Sequence, residues 1–203
     1  MKKLVSVLAV FVMIGCGGTL LADPVSVVFN NVSPGQSAQV NADGDVYNTN
    51  SGVYNLTVDG VSVDSYCIDP APIQSGADYF MIDLPSEVYY TEAAWIITMY
   101  GFPTGNEAAS NVQLAIWTLI PNMTVTDPNP LPTAVTDMVA AAQAAVGQGW
   151  NATEGFALLV SPSESDYYSV ASQDFIIRTP EPASIILLGL GLFGVGLVGR
   201  KFC

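Results

Sequence analysis

Cys67 and Gln113 are the two residues of this chain whose types could react with one another. The sequence holds three cysteines: Cys16 in an N-terminal apolar run, Cys67, and Cys203 as the last residue behind a C-terminal apolar run. If both ends are export and sorting signals, Cys67 is the only thiol left between them. An unpaired thiol in an exported protein oxidises, pairs between molecules, or is chemically occupied. Gln113 stands out for a different reason. Residues 106–120 carry an inner helical stripe of Ala109, Val112, Gln113, Ile116 and Ile120, spaced by three and four, and Gln113 is its polar intruder.

A thiol that adds to a glutamine carboxamide and expels ammonia gives an internal thioester. That product has no free thiol and is less polar than its parents, so burial suits it. It is also an electrophile, which an incoming amine opens to an amide, releasing the cysteine. Outside the two ends the chain has no lysine that could consume such a bond from within. The residues alone leave a second reading open, in which Cys67 is an inert buried thiol and Gln113 a hydrogen-bonded core amide.

The elements that must position this pair are readable nearby. Residues 53–58, then Asp59-Gly60, then residues 61–67 read as a β-hairpin, because Asp-Gly suits the two-residue turn whose twist matches its strands. In that register Val58 faces Val61 and Leu56 faces Val63. Counting by twos puts Ser65 and Cys67 on the same inward side, with Cys67 ending the strand. A first helix is expected over residues 92–100 with Thr91 as its cap and Gly101 as its stop. The second ends at Pro121, and a third covers residues 134–146 before Gly147. Further strands are expected at 25–32 and 36–40, separated by Ser33-Pro34-Gly35, and at 78–84, 155–160 and 174–178. Residues 127–132 read as a proline-rich connection. Asn41-Ala42-Asp43-Gly44-Asp45 lacks the later ligands of a calcium loop and reads as a turn. The expected fold is α+β: short antiparallel strands in a sandwich- or barrel-like sheet, with a helical insert.

The inventory excludes much chemistry. With no histidine, Ser-His-Asp and Cys-His catalysis and His-bearing zinc sites are out. No pattern calls for a metal or a cofactor. Proton transfer falls to carboxylates, tyrosines or water, with Asp69 and Glu92 the candidates nearest the two motifs. Of 18 acids and 5 bases, residues 23–179 keep 17 and one, Arg178, a net charge of −16. Such a surface repels phosphate, so nucleic acid is not an expected partner. No paired-carboxylate motif marks a polysaccharide hydrolase, and the chain is read as a non-enzyme.

Both ends read as signals. Lys2 and Lys3 precede an apolar run and Ala22 offers a cleavage point, so residues 1–22 read as a signal peptide. Met13-Ile14-Gly15-Cys16 also resembles a lipobox, the lipoprotein alternative. Residues 23–178 form the exported domain and residues 179–203 the tail, with a spanning helix at 183–199 held by Arg200 and Lys201 on the cytoplasmic side.

Two resemblances follow. Tyr66-Cys67-Ile68-Asp69 and Val112-Gln113-Leu114-Ala115-Ile116-Trp117, with Ala93-Ala94-Trp95-Ile96 and Tyr100 before them, resemble bacterial surface thioester domains, although Val112 stands where that family usually has Thr. That likeness, over residues 53–120, implies a covalent adhesin in which Cys67 and Gln113 form the bond and an amine-bearing surface or matrix target receives the acyl group. Pro180, Glu181 and Pro182, the glycine-rich apolar run and Arg200-Lys201 resemble the PEP-CTERM sorting signal, also described as an ice-binding-protein C-terminal motif. This implies an exosortase-type processing enzyme as partner, transient residence in the inner membrane, and release to the cell surface or extracellular matrix of a Gram-negative bacterium. A passive structural protein of that matrix, with an unreacted cysteine, is the alternative.

Overall fold

The computed structural model describes residues 24–71, 76–161 and 173–179. The expected signal peptide, the Pro180-Glu181-Pro182 motif, the spanning helix, Arg200 and Lys201 lie outside the described residues.

Seven antiparallel strands and three helices are described: β1 (Pro24–Ala42), β2 (Asp45–Val58), β3 (Val61–Cys67), β4 (Ala77–Asp83), α1 (Val88–Tyr100), α2 (Asn106–Leu119), β5 (Met123–Asp127), α3 (Thr133–Gly147), β6 (Phe156–Val160) and β7 (Phe175–Arg178). The sheet runs β2-β3-β7-β6-β4-β1-β5, and β1 also pairs with β2. That extra pairing closes a six-stranded ring. Val27 of β1 is the closing residue, opposite Val58 on one side and Ala77 on the other. Closure leaves the ring without free edges.

The β2–β3 hairpin forms in the expected register, with Val58 opposite Val61 and Leu56 opposite Val63. Asp59 and Gly60 both take positive φ, 46° and 82°, as its turn demands. The turn is tied down as well: the Ser26 N–H donates to Asp59 Oδ1 at 2.9 Å, and the Asp59 N–H donates to the Ser26 carbonyl at 3.0 Å.

Elsewhere the strands differ from expectation. Ser33-Pro34-Gly35 does not end a strand but bulges within one, and β1 runs on for 19 residues beside a 14-residue β2. These are not short strands. Their distal halves leave the ring as a long hairpin, turned at Asp43-Gly44, and β5 joins its edge through Gln39–Ala42. The turn expected at Asp43-Gly44 is present. β5 itself was not expected. Thr91 is not a helix cap, because α1 begins three residues earlier at Val88. Gly101 does close it, at φ 64° with its N–H on the Ile97 carbonyl.

Helix α2 packs on β1, β2 and β5 and against both other helices. It is therefore enclosed on every side, and Ala109 through Trp117 are all buried. The stripe read from the sequence holds, apart from Ile120 at the half-buried end, but it is only part of a stretch, Ala109 to Trp117, that is buried all round.

Candidate functional site around Cys67 and Gln113

Cys67 is the last residue of β3, paired with Phe175 of β7 and fully buried. Gln113 lies mid-way along α2, also with no exposed surface. The fold brings the two together. The Cys67 N–H donates to Gln113 Oε1 at 2.9 Å, and Gln113 Nε2 donates to the Cys67 carbonyl at 2.8 Å. A strand end has lost its sheet partner on one side, and the carboxamide supplies both missing bonds. The amide is thereby fixed in rotation beside the cysteine.

The chain around Cys67 is held from three directions. Tyr66 stacks on Phe102, with ring centroids 5.1 Å apart, and its hydroxyl donates to the Gly101 carbonyl at 3.0 Å. This fastens the strand end to the close of α1. Beyond Cys67, Asp69 turns its carboxylate onto main chain. Its Oδ1 accepts the Ala71 N–H at 2.9 Å and its Oδ2 accepts the Asp174 N–H at 3.0 Å. The Asp69 carbonyl accepts both the Cys67 thiol and Gln173 Nε2. The Ile68 N–H donates to the Asp174 carbonyl at 2.9 Å. Asp174 accepts the Ser161 N–H at 2.7 Å, which adds the end of β6 to the same knot.

Electrostatics follow from burial. The Cys67 thiol is pushed well up, first by desolvation and then by the negative charge of Asp69; the Trp117 indole and the Asp69 backbone work the other way. Asp69 is raised by burial, against its two backbone hydrogen bonds. Asp174 is raised to about 6 by burial, with the neighbouring Asp69 charge adding to it. Tyr54 is raised by burial and by the Cys67 charge. At neutral pH the site therefore holds a protonated thiol, and the two carboxyls near it are both raised by burial.

Of the residues singled out from the sequence, Cys67, Gln113 and Asp69 meet here. Glu92 does not: it is buried on α1 with its carboxyl raised by desolvation, and among the described residues no hydrogen bond joins it to Cys67 or Gln113. The sequence reading missed Gln173 and Asp174, which lie just before β7 and more than a hundred residues from Asp69. It quoted Trp117 within the Gln113 motif but gave it no role, although it lies four residues after Gln113 and so on the same face of α2. Trp117 is fully buried, and its Nε1 makes no hydrogen bond of normal geometry among the described residues. That i, i+4 spacing was the available signal. No group of three or more Cys, His, Asp or Glu able to hold a metal occurs among the described residues, and no helix there is long and apolar enough to cross a membrane.

No curated protein and no solved structure matches the chain. A match to the PEP-CTERM protein-sorting motif covers residues 178–201. It begins at Arg178, the last residue of β7, so the motif abuts the folded domain directly. The match supports an exported protein that is sorted by exosortase through the membrane.

Proposed function

We propose that this exosortase-sorted protein carries an internal Cys67–Gln113 thioester and uses it once, without turnover, to attach covalently to an amine-bearing target at the cell surface or in the extracellular matrix. The observation that carries the reading is the reciprocal pair of hydrogen bonds between the Gln113 carboxamide and the Cys67 main chain, both residues being fully buried. It fixes the Gln113 carboxamide beside the Cys67 main chain before any reaction, and holding two groups together in this way supplies a large part of the work in an intramolecular condensation. Bond formation joins Cys67 Sγ to Gln113 Cδ and breaks the Cδ–N bond. The thiol proton leaves with the nitrogen as ammonia. Amine attack then breaks the C–S bond, forms an amide, and returns a proton to the sulfur. Asp69 and Asp174, whose charges act on the Cys67 sulfur, are our candidates for passing these protons.

A second reading is favoured by the same geometry. The amide has its hydrogen bonds satisfied, and the thiol donates to the Asp69 carbonyl. A passive matrix protein with an unreacted core cysteine needs nothing more. Intact mass separates the two. The thioester requires a domain lighter by one ammonia, to which methylamine then adds its whole mass, and Cys67→Ala must abolish both changes. Full mass with a thiol that titrates only on unfolding leaves the passive reading standing.

A further inference from the structure

The chemistry assigned to Cys67 and Gln113 leaves one buried group unused. Trp117 has no exposed surface, yet its indole N–H makes no hydrogen bond of normal geometry among the described residues. A buried donor without an acceptor costs on the order of 1–3 kcal/mol. Such a group is worth retaining where an acceptor appears only during a reaction. Trp117 follows Gln113 by one helical turn, so α2 presents the carboxamide and the indole side by side toward the end of β3. That face of α2 meets Cys67 through the two Gln113 hydrogen bonds, and the indole favours the charged form of the Cys67 sulfur. Apart from the Asp69 backbone, the surroundings of that sulfur oppose a negative charge: the Asp69 and Asp174 carboxylates repel it, and burial leaves it unsolvated.

We propose that the Trp117 indole N–H is the hydrogen-bond donor to the Cys67 sulfur when that sulfur carries charge, and that it thereby assists departure of the thiolate when an amine opens the thioester. The second half rests on the thioester reading; the first does not. The amine nitrogen attacks the acyl carbon and the C–S pair leaves on sulfur. The indole N–H shares its proton with that pair without transferring it. The proton lost by the attacking nitrogen finally resides on the sulfur, so no further reactant is needed. A donor that engages only the charged state lowers the barrier without stabilising the resting bond.

The test compares Trp117→Phe with wild type on the whole exported domain. Aminolysis by methylamine, followed by intact mass, is expected to slow about tenfold or more. In a Gln113→Ala background, where the thiol is free in any case, the pH profile of alkylation by iodoacetamide is expected to move to higher pH on adding Trp117→Phe. Unchanged profiles in both measurements overturn the proposal. A moved alkylation profile with no ammonia loss in wild type keeps the indole as a donor to sulfur and removes the thioester, and with it the role in amine attack. An unaltered alkylation profile with intact ammonia loss refutes the donor while sparing the thioester. Should Trp117→Phe fail to fold, the indole N–H resonance of nitrogen-15-labelled wild type, assigned against Trp95 and Trp150, must shift when Cys67 ionises. A resonance that stays put overturns the assignment.

Discussion

At the scale of single residues, the site is a compromise between holding a thiol and burying acids. Asp174 shows it most clearly. Its carboxyl accepts one main-chain N–H, yet burial and Asp69 together raise it from 3.8 to about 6. A carboxyl whose folded value lies above its unfolded one binds more protons when folded. Its contribution is therefore fully present below the unfolded value and lost as pH climbs through about 6. The shift corresponds to about 3 kcal/mol at most, less after solvent screening. The domain is expected to be more stable at pH 4.5 than at pH 7.5 in urea unfolding, and Asp174→Asn is expected to remove part of that difference. A wild type that gains stability over this interval, or an Asn variant with the same slope, contradicts the account. Cys67 and Gln113 were legible in the sequence because each was anomalous where it stood. Asp174 was not, since an acid before a strand is ordinary until the fold sets it against Asp69.

Among the elements, legibility tracked how local the cause was. The β2–β3 hairpin could be read because Asp59-Gly60 and the alternation beside it carry their own geometry. β5 could not: Met123–Asp127 sits beside Pro128 and Pro130, and among the described residues it pairs only with the distant Gln39–Ala42. The distal arm of β1 was expected as a separate strand at 36–40, but that of β2 was hidden by its polar residues, such as Asn48 opposite Gln39 and Asn50 opposite Ser37. The bulge at Pro34-Gly35 has a physical partner that the sequence hinted at only as a turn. Gly52 lies beneath it, and a Cβ there would stand 2.3 Å from the Pro34 carbonyl oxygen and 2.5 Å from the Gly35 Cα. Both are backbone atoms, so the strands themselves would have to part. Next to it, Ser51 shares a hydrogen bond of 2.5 Å with Ser110 of α2, so the crowded point also sets the seat of the helix bearing Gln113. Gly52→Ala is expected to cost about 1–3 kcal/mol in denaturant unfolding. Gly105→Ala, with open space around it, should change stability by no more than about 0.5 kcal/mol. Equal effects at the two glycines would remove the steric argument.

Taken as a whole molecule, the domain is a closed ring of strands with a buried helix above it and a strongly one-signed surface. Residues 23–179 carry 17 acids and one base, a net charge of −16. The single base, Arg178, lies over the Phe156 ring at 5.5 Å. The fold is then held by its core and its ladders against its own charge, and the repulsion is long-ranged in dilute salt. Screening shortens that range from about 30 Å at 10 mM to about 8 Å at 0.15 M salt. Raising sodium chloride across that interval is expected to lift the thermal midpoint by several degrees, with potassium chloride doing the same at equal ionic strength. Calcium chloride separates screening from binding. A gain matching sodium chloride at the same ionic strength means diffuse neutralisation, whereas a much larger one means a specific ion site on the acidic surface. A midpoint indifferent to sodium and potassium chloride would show that the acids are too well solvated to strain the fold. The charge would then bear on the partners the domain repels and not on its stability.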